Sequence, residues 1–266
     1  MAFELIKQIY WRLNYYYNTE HTKENIAIRD RYQDSLLDYK NKYSGKRCFV
    51  IGNGPSLKPE DLDSIKDEFS FAANRIFYIY DKTDWRPTFY CAQDADVFED
   101  ISSKINVISQ ESDHCFFASY CKKYISETPE NTSYYYARLI GAHKTRNFSS
   151  DITKYVDGGG TITYAAIQLA AYMGFSEVYL LGVDHNYASG SFANGKMNTE
   201  DIKKSYFVGM PSSIRLTKPN TDNSTISFIE AKRYAEKNGL KIYNATRGGK
   251  LEVFERVNFD KVVKNG

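Results

Sequence analysis

Two glycines one residue apart, directly after an apolar run, are the first feature with chemistry in it. Cys48-Phe49-Val50-Ile51 leads into Gly52-Asn53-Gly54-Pro55-Ser56. Glycine lets a backbone come close to an anion and turn N–H groups toward it. Pro55 stiffens the turn, and Ser56 is placed to cap a short helix while offering a hydroxyl to phosphate. A plain strand-to-helix turn would use the same residues, and the spacing is neither a Walker loop nor a full Gly-x-Gly-x-x-Gly fingerprint. Gly158-Gly159-Gly160 before Thr161 is a second such place. It gives a flexible, N–H-rich approach to a helix start whose dipole favours an anion, with hydroxyls from Thr161 and Thr163. A tight loop is the alternative. Asp94-Ala95-Asp96 is a D-x-D of the kind that holds a divalent cation against a diphosphate, and Mg2+ or Mn2+ is the ion it would take. Asp94 follows a strand end, where ligands collect in open sheets. Asp184-His185 stands at another strand end. Asp184 would orient His185 or close the turn itself. His185 would act as a base, protonate a leaving phosphate, or merely satisfy the turn. Further along, Lys218 could neutralise phosphate and Asp222 could accept a proton. No metal-ligand set and no resident cofactor is assigned.

These residues need elements to hold them. Arg47–Ile51, Phe69–Ala72, Thr88–Ala92, Ile105–Ile108, His114–Ala118 and Glu177–Leu181 read as short buried strands, and Lys241–Asn244 as the final one. Thr161–Met173 reads as a helix closed by Gly174, and Ser227–Asn238 as an amphipathic helix stopped by Gly239. Strands alternating with helices of this length predict an α/β, Rossmann-like, mainly parallel sheet with helices on both faces. Residues 44–266 would form this nucleotide-binding catalytic domain. Residues 1–43 read as a helical extension. Its first part carries Phe3, Ile6, Ile9, Tyr10, Leu13 and Tyr17 at helical spacing, and Glu24–Tyr43 is a charged helix leading into the domain. The first helix would pack on the domain or on a sister subunit in a homo-oligomer, or 1–17 would lie peripherally on the inner membrane face. Residues 186–226 are polar and aperiodic with apolar anchors at Tyr187, Phe192, Tyr206 and Phe207. Inside a compact domain such a stretch reads as a lid.

With 266 residues and 42% hydrophobic content the chain can build one large core. A net charge of +2 argues neither for nor against a polyanionic partner, and no nucleic acid is expected. Cys48, Cys91, Cys115 and Cys121 form no Cys-x-x-Cys pair and lack histidines at ligand spacing, which fits buried thiols in a reducing compartment. No run of about 20 apolar residues exists to span a bilayer, and the N-terminus has no signal-peptide order. The cytoplasm is the expected location.

Ile51-Gly52-Asn53-Gly54-Pro55-Ser56-Leu57 resembles the opening motif of the bacterial sialyltransferases of glycosyltransferase family 42, and of the related MptE-like family of 6-hydroxymethylpterin diphosphokinases and motility accessory factors. The likeness continues at Ala73-Asn74-Arg75-Ile76-Phe77 and Thr88-Phe89-Tyr90, and is densest over Thr161–Asp184. Ile242-Tyr243-Asn244-Ala245-Thr246-Arg247-Gly248-Gly249 resembles the MptE-like group more closely. The resemblance implies that Asn53 and Ser56 contact the nucleotide phosphates, that Asn74 helps hold the nucleotide, that the helix beginning at Thr161 turns its N-terminus to the ligand, and that Tyr187 bonds a leaving phosphate; the residues read above, Gly52, Gly54, Asp94, Gly160 and Thr163, complete the expected nucleotide-binding set. The implied activity is transfer from a nucleotide-activated sugar, a CMP-sugar first, to a glycan acceptor at the cell surface. Here the chain departs from the sialyltransferases. Leu216-Thr217-Lys218-Pro219-Asn220-Thr221-Asp222 lacks their general-base histidine. The alternatives are a diphosphokinase using ATP and Mg2+, for which Asp94, Asp96 and Asp184 would be the carboxylates, and a nucleotide-binding module without catalysis.

Overall fold

The computed structural model describes residues 23–138, 146–186, 204–211 and 221–264. Eight strands form one sheet: β1 (Arg47–Ile51), β2 (Ser70–Ala73), β3 (Phe89–Ala92), β4 (His114–Ala118), β5 (Thr132–Tyr135), β8 (Glu177–Leu181), β9 (Lys241–Asn244) and β10 (Glu255–Arg256). Their order is β10-β9-β8-β1-β2-β3-β4-β5, and each neighbouring pair is parallel. Ala137–Arg138 (β6) and Val156–Asp157 (β7) make a separate parallel pair. The α/β Rossmann-like expectation holds. Strand order reverses between β1 and β8, the position at which open parallel sheets form a crevice.

Parallel strands covered on both sides are apolar without alternation, and β1, β2, β3 and β4 are buried almost end to end. Register assigns the faces. Val50, Phe71, Phe89, Cys91 and Phe116 share one, which Tyr39, Tyr43 and Phe175 cover. Phe49, Tyr90 and Phe117 belong to the other. Phe98 of α4 (Ala95–Ile101) meets Phe117 there, and Phe259 of α8 (Phe259–Lys264) meets Phe49. Helices therefore lie on both faces. Helix α6 (Ile162–Tyr172) has nine of its eleven residues buried, the composition of a helix enclosed on all sides, and it crosses β1, β2 and β3. Helix α7 (Thr221–Asn238) packs on α6 and β9.

The arm before β1 is helical at 23–31 (α1) and Gln33–Leu37 (α2), then turns through 38–45. The expected helix to Tyr43 ends early because the chain closes α6 instead. Asn41, Tyr43 and Gly45 N–H groups donate to the Tyr172, Met173 and Gly174 carbonyls, which a helix end leaves without partners. Tyr43 stacks on Phe175 at 5.0 Å.

Ile105–Ile108 is not a strand. It lies in α5 (Ile105–Gln110), where Ile105 and Ile108 are buried one turn apart while Val107 between them is 64% exposed. Helix α7 starts at Thr221 rather than Ser227, so the end of the expected lid is helical. Lys241–Asn244 is not the last strand, since β10 follows it. Among the described residues no helix is long and apolar enough to cross a membrane. The aromatic segment 1–17 lies outside them.

Candidate functional site

The turn after β1 is built against the turn after β8. A Cβ on Gly52 would stand 2.3 Å from the Gly182 carbonyl oxygen, and one on Gly54 would stand 1.9 Å from Asp184 Oδ2. Neither glycine has a left-handed backbone, so it is the missing side chain that matters. Gly52 N–H donates to Leu181 O, Gly54 N–H to Gly182 O at 2.9 Å, and Leu57 N–H to Gly54 O. Ser56 Oγ donates to Asp184 Oδ2 at 2.7 Å, with the Ser56 N–H at 3.4 Å. The turn's N–H groups thus serve first to lock β1 to β8. Asp184, 7% exposed, is the clamp between the two loops, and its carbonyl accepts from Lys250 N–H. Burial raises its carboxyl above the usual range, against the Ser56 hydrogen bonds that lower it. No hydrogen bond joins Asp184 to His185 among the described residues.

What remains open at this edge is a row of amides. Asn53 Nδ2 donates to Ala73 O at 3.1 Å, and Asn53 O accepts from Phe207 N–H at 3.1 Å. Asn74 stands at φ +58, with its N–H on Cys91 O and its carbonyl accepting from the buried Tyr90 hydroxyl. Gln93, directly after β3, donates from Nε2 to Gly158 O at 2.8 Å, and its own carbonyl accepts from Tyr120. Gln93 carries no motif; its only sequence signal is its place between β3 and Asp94. The described part of the lid segment, 204–211, sits against this row. Phe207 is buried, and Lys82 Nζ donates to Val208 O.

Gly158–Gly160 brings two helix starts together. Gly159 (φ +56) and Gly160 (φ +72) adopt the left-handed backbone that glycine tolerates, and a Cβ on Gly159 would meet the Tyr164 ring at 2.1 Å. Thr161 caps α6, its hydroxyl accepting from Thr163 N–H, and Thr163 is buried. From the first turns of α7, Ser224 Oγ donates to Gly160 O at 3.4 Å and Ser227 Oγ to Gly159 O at 2.6 Å. The N-termini of α6 and α7 therefore converge at these glycines, and their partial positive charges add.

His185 completes this corner at φ +52, with its ring edge-on to Phe228 of α7 at 5.7 Å. Its Nε2 lies 2.8 Å from Thr225 Oγ1, and that hydroxyl donates to Thr221 O at 2.9 Å. The Thr225 proton being committed, Nε2 is assigned as donor, which leaves Nδ1 unprotonated and without a partner among the described hydrogen bonds. Burial lowers the His185 pKa below 6.5, opposed by Asp222, so the ring is neutral at pH 7.

The structure thus gathers Asn53, Asn74, Gly160, Thr161, Thr163 and His185 at the carboxyl edge of the sheet. Asp94 caps α4 by accepting from Val97 N–H, and Asp96 lies exposed in the first turn of that helix. No three His, Cys, Asp or Glu side chains gather as an ion site among the described residues. With Asp184 committed to Ser56 and Asp94 to its cap, these carboxylates do not fit a divalent cation. Tyr187 and Lys218 lie outside the described residues. Arg247, in the segment resembling the MptE-like group, spans Asp61 and Asp260 away from the corner.

A family model described as "6-hydroxymethylpterin diphosphokinase MptE-like" matches residues 20–190. Among solved structures the chain is similar to the MAf glycosyltransferase from Magnetospirillum magneticum AMB-1, with a TM-score of 0.50 and 16% identity over 88% of this chain. This chain spans 39% of that one. It is also similar to the sialyltransferase CstII from Campylobacter jejuni in complex with the substrate analogue CMP-3FNeuAc, at TM-score 0.44, 15% identity, and 80% and 86% of the two chains. At 16% identity the first of these likenesses concerns the fold alone. No curated protein matches the sequence.

Proposed function

The chain belongs to the 6-hydroxymethylpterin diphosphokinase MptE-like family, whose model spans residues 20–190, and from that premise we propose that it is a glycosyltransferase acting on a nucleotide-activated sugar. The observation that carries this reading is the corner where the α6 and α7 N-termini converge beside a neutral His185. Helix N-termini stabilise the charge that appears on a departing phosphate. An imidazole with a free Nδ1 takes the proton from an attacking hydroxyl. In the reaction the acceptor oxygen bonds the anomeric carbon, the bond from that carbon to the phosphate oxygen breaks, and the proton passes to His185. Lys218 and Tyr187 are further candidates for the leaving phosphate. CMP-sugars are the first donors to test, because the motifs from Gly52 to Ser56 and from Thr161 to Asp184 resemble sialyltransferases. The acceptor is a surface glycan, met at the membrane face through residues 1–17.

Diphosphate transfer from ATP is the second reading, and the family description favours it. It needs carboxylates around a magnesium triphosphate, and two of the three candidates are committed elsewhere, Asp184 to Ser56 and Asp94 to the α4 cap.

Thermal melting against CMP, CDP, UDP and ATP, each with and without Mg2+, separates the readings. A ligand at a hundred times its Kd adds about 2.7 kcal/mol, or roughly 5–10 °C for a chain of this size. Stabilisation by a cytidine nucleotide without metal is expected. Stabilisation by ATP with Mg2+ alone would assign the second reading, and no response to any nucleotide would refute both.

A further inference from the structure

Three side-chain amides follow three adjacent strands: Asn53 after β1, Asn74 after β2 and Gln93 after β3. Their oxygens, Asn53 Oδ1, Asn74 Oδ1 and Gln93 Oε1, are each shielded from solvent without a hydrogen-bond partner among the described residues. In two of them the orientation is fixed, because the nitrogen is held by a protein carbonyl: Asn53 by Ala73 and Gln93 by Gly158. The free end is then an oxygen, which can only accept. Gln93 is 7% exposed and is tethered to Gly158, which opens the approach to the α6 N-terminus. A buried acceptor is costly to leave unpaired, and this edge holds three in sequence. Phosphate oxygens are acceptors too and would leave every one of them unsatisfied.

We propose that this amide row reads the hydrogen-bond donors of the bound nucleotide, with Gln93 as a specificity-determining residue, while the phosphate lies against the two helix N-termini. This rests on the nucleotide reading above and adds what that reading leaves open, the end of the nucleotide that is selected. Two kinds of donor carry the required N–H or O–H groups: the exocyclic amine of a base and the hydroxyls of the ribose. The selection arises because a ligand lacking the donor leaves the acceptors buried and unpaired, whereas a donor-bearing ligand satisfies them.

Calorimetric titration of the whole chain tests it with three ligand pairs: CMP against UMP, AMP against IMP, and CMP against 2′-deoxy-CMP. The first two pairs exchange an amine for a keto oxygen, and the third removes a hydroxyl. At least one type of pair is expected to differ by about tenfold or more in favour of the donor-bearing ligand, as in sites built around buried polar groups. Gln93→Leu should collapse the difference for the donor that Gln93 reads and leave the other type unchanged. If that variant does not fold, Gln93→Met, closer in shape and likewise without the acceptor, is titrated in its place. Nucleotide binding without preference in any pair, or Gln93→Leu leaving every preference at its wild-type size, would overturn the proposal while leaving the nucleotide site standing. Absence of binding by all five nucleotides would instead remove the nucleotide reading, and the proposal with it.

Discussion

Replacing Gly54 by alanine is the sharpest test of what the glycine turn is for. The new Cβ would lie 1.9 Å from Asp184 Oδ2 and 2.7 Å from Gly182 O. Carbon and oxygen normally stay more than 3 Å apart, so either the carboxylate or the β8 turn must move by about 1 Å. The movement breaks the Ser56–Asp184 bond, about 1.5–3 kcal/mol for a charged acceptor, and weakens Gly54 N–H to Gly182 O, about 0.5–1.5 kcal/mol. A loss of about 2–4 kcal/mol follows, read as a fall in urea midpoint and of roughly 5–15 °C in Tm. Asp184→Ala removes the nearest clash, so Gly54→Ala should cost about 1–2 kcal/mol less in that background, the coupling a double-mutant cycle measures. Gly52→Ala is the control. Its clash is with backbone, 2.3 Å to Gly182 O, and Asp184→Ala should not relieve it. If Gly54→Ala left stability within about 0.5 kcal/mol of wild type but abolished nucleotide affinity, the turn would serve an anion and not the clamp on Asp184.

Two titrations give further outcomes. Because burial lowers the His185 pKa, its basic form persists to pH below 6.5, and kcat/KM should fall only on the acid side of that value. His185→Asn should remove both the activity and that limb; an unchanged limb would assign the proton to another group. At the opposite edge of the sheet, His114 is held by Ser133 at 2.8 Å and covered by Tyr39, and burial lowers its pKa from 6.5 to about 4. The unfolded chain takes up this proton first, so the contribution is intact above pH 6.5 and declines toward pH 4. It amounts to about 3 kcal/mol at most. His114→Gln should flatten urea midpoints across that range, and an unaltered slope would show that other groups cause it.

Strands β1, β3, β4 and β8 and helix α6 were legible in the sequence because each is a compact apolar run bounded by glycine, proline or polar residues. The strand expected at Ile105–Ile108 failed because Ile-Asn-Val-Ile fits both periods. Only tertiary packing, which leaves Val107 in solvent, selects the helix. Strand β5 (Thr-Ser-Tyr-Tyr) was missed because it opens on two polar residues and forms no apolar run, although all four are buried. The site was half legible. Glycines and Asp-His at strand ends signalled a cleft, but the sequence could not tell a glycine that admits an anion from one that admits Asp184. Gln93 was invisible, since its role depends on Gly158, 65 residues away.

The strand order also governs how such a sheet comes into being. Strand β1 pairs with β2 about twenty residues later, but its other side waits for β8, which begins 130 residues after it (Arg47↔Glu177). During synthesis at about 5–20 residues per second, β1 to β5 can assemble while β1 remains an open edge. Cys48-Phe49-Val50-Ile51 lies along that edge, apolar and without a charge to discourage another chain. The central strand of the finished molecule is thus the exposed rim of the half-made one for several seconds. The glycines that later admit Gly182 and Asp184 leave that rim unguarded, so the late arrival of β8 both ends its exposure and clamps the turn beside the cleft.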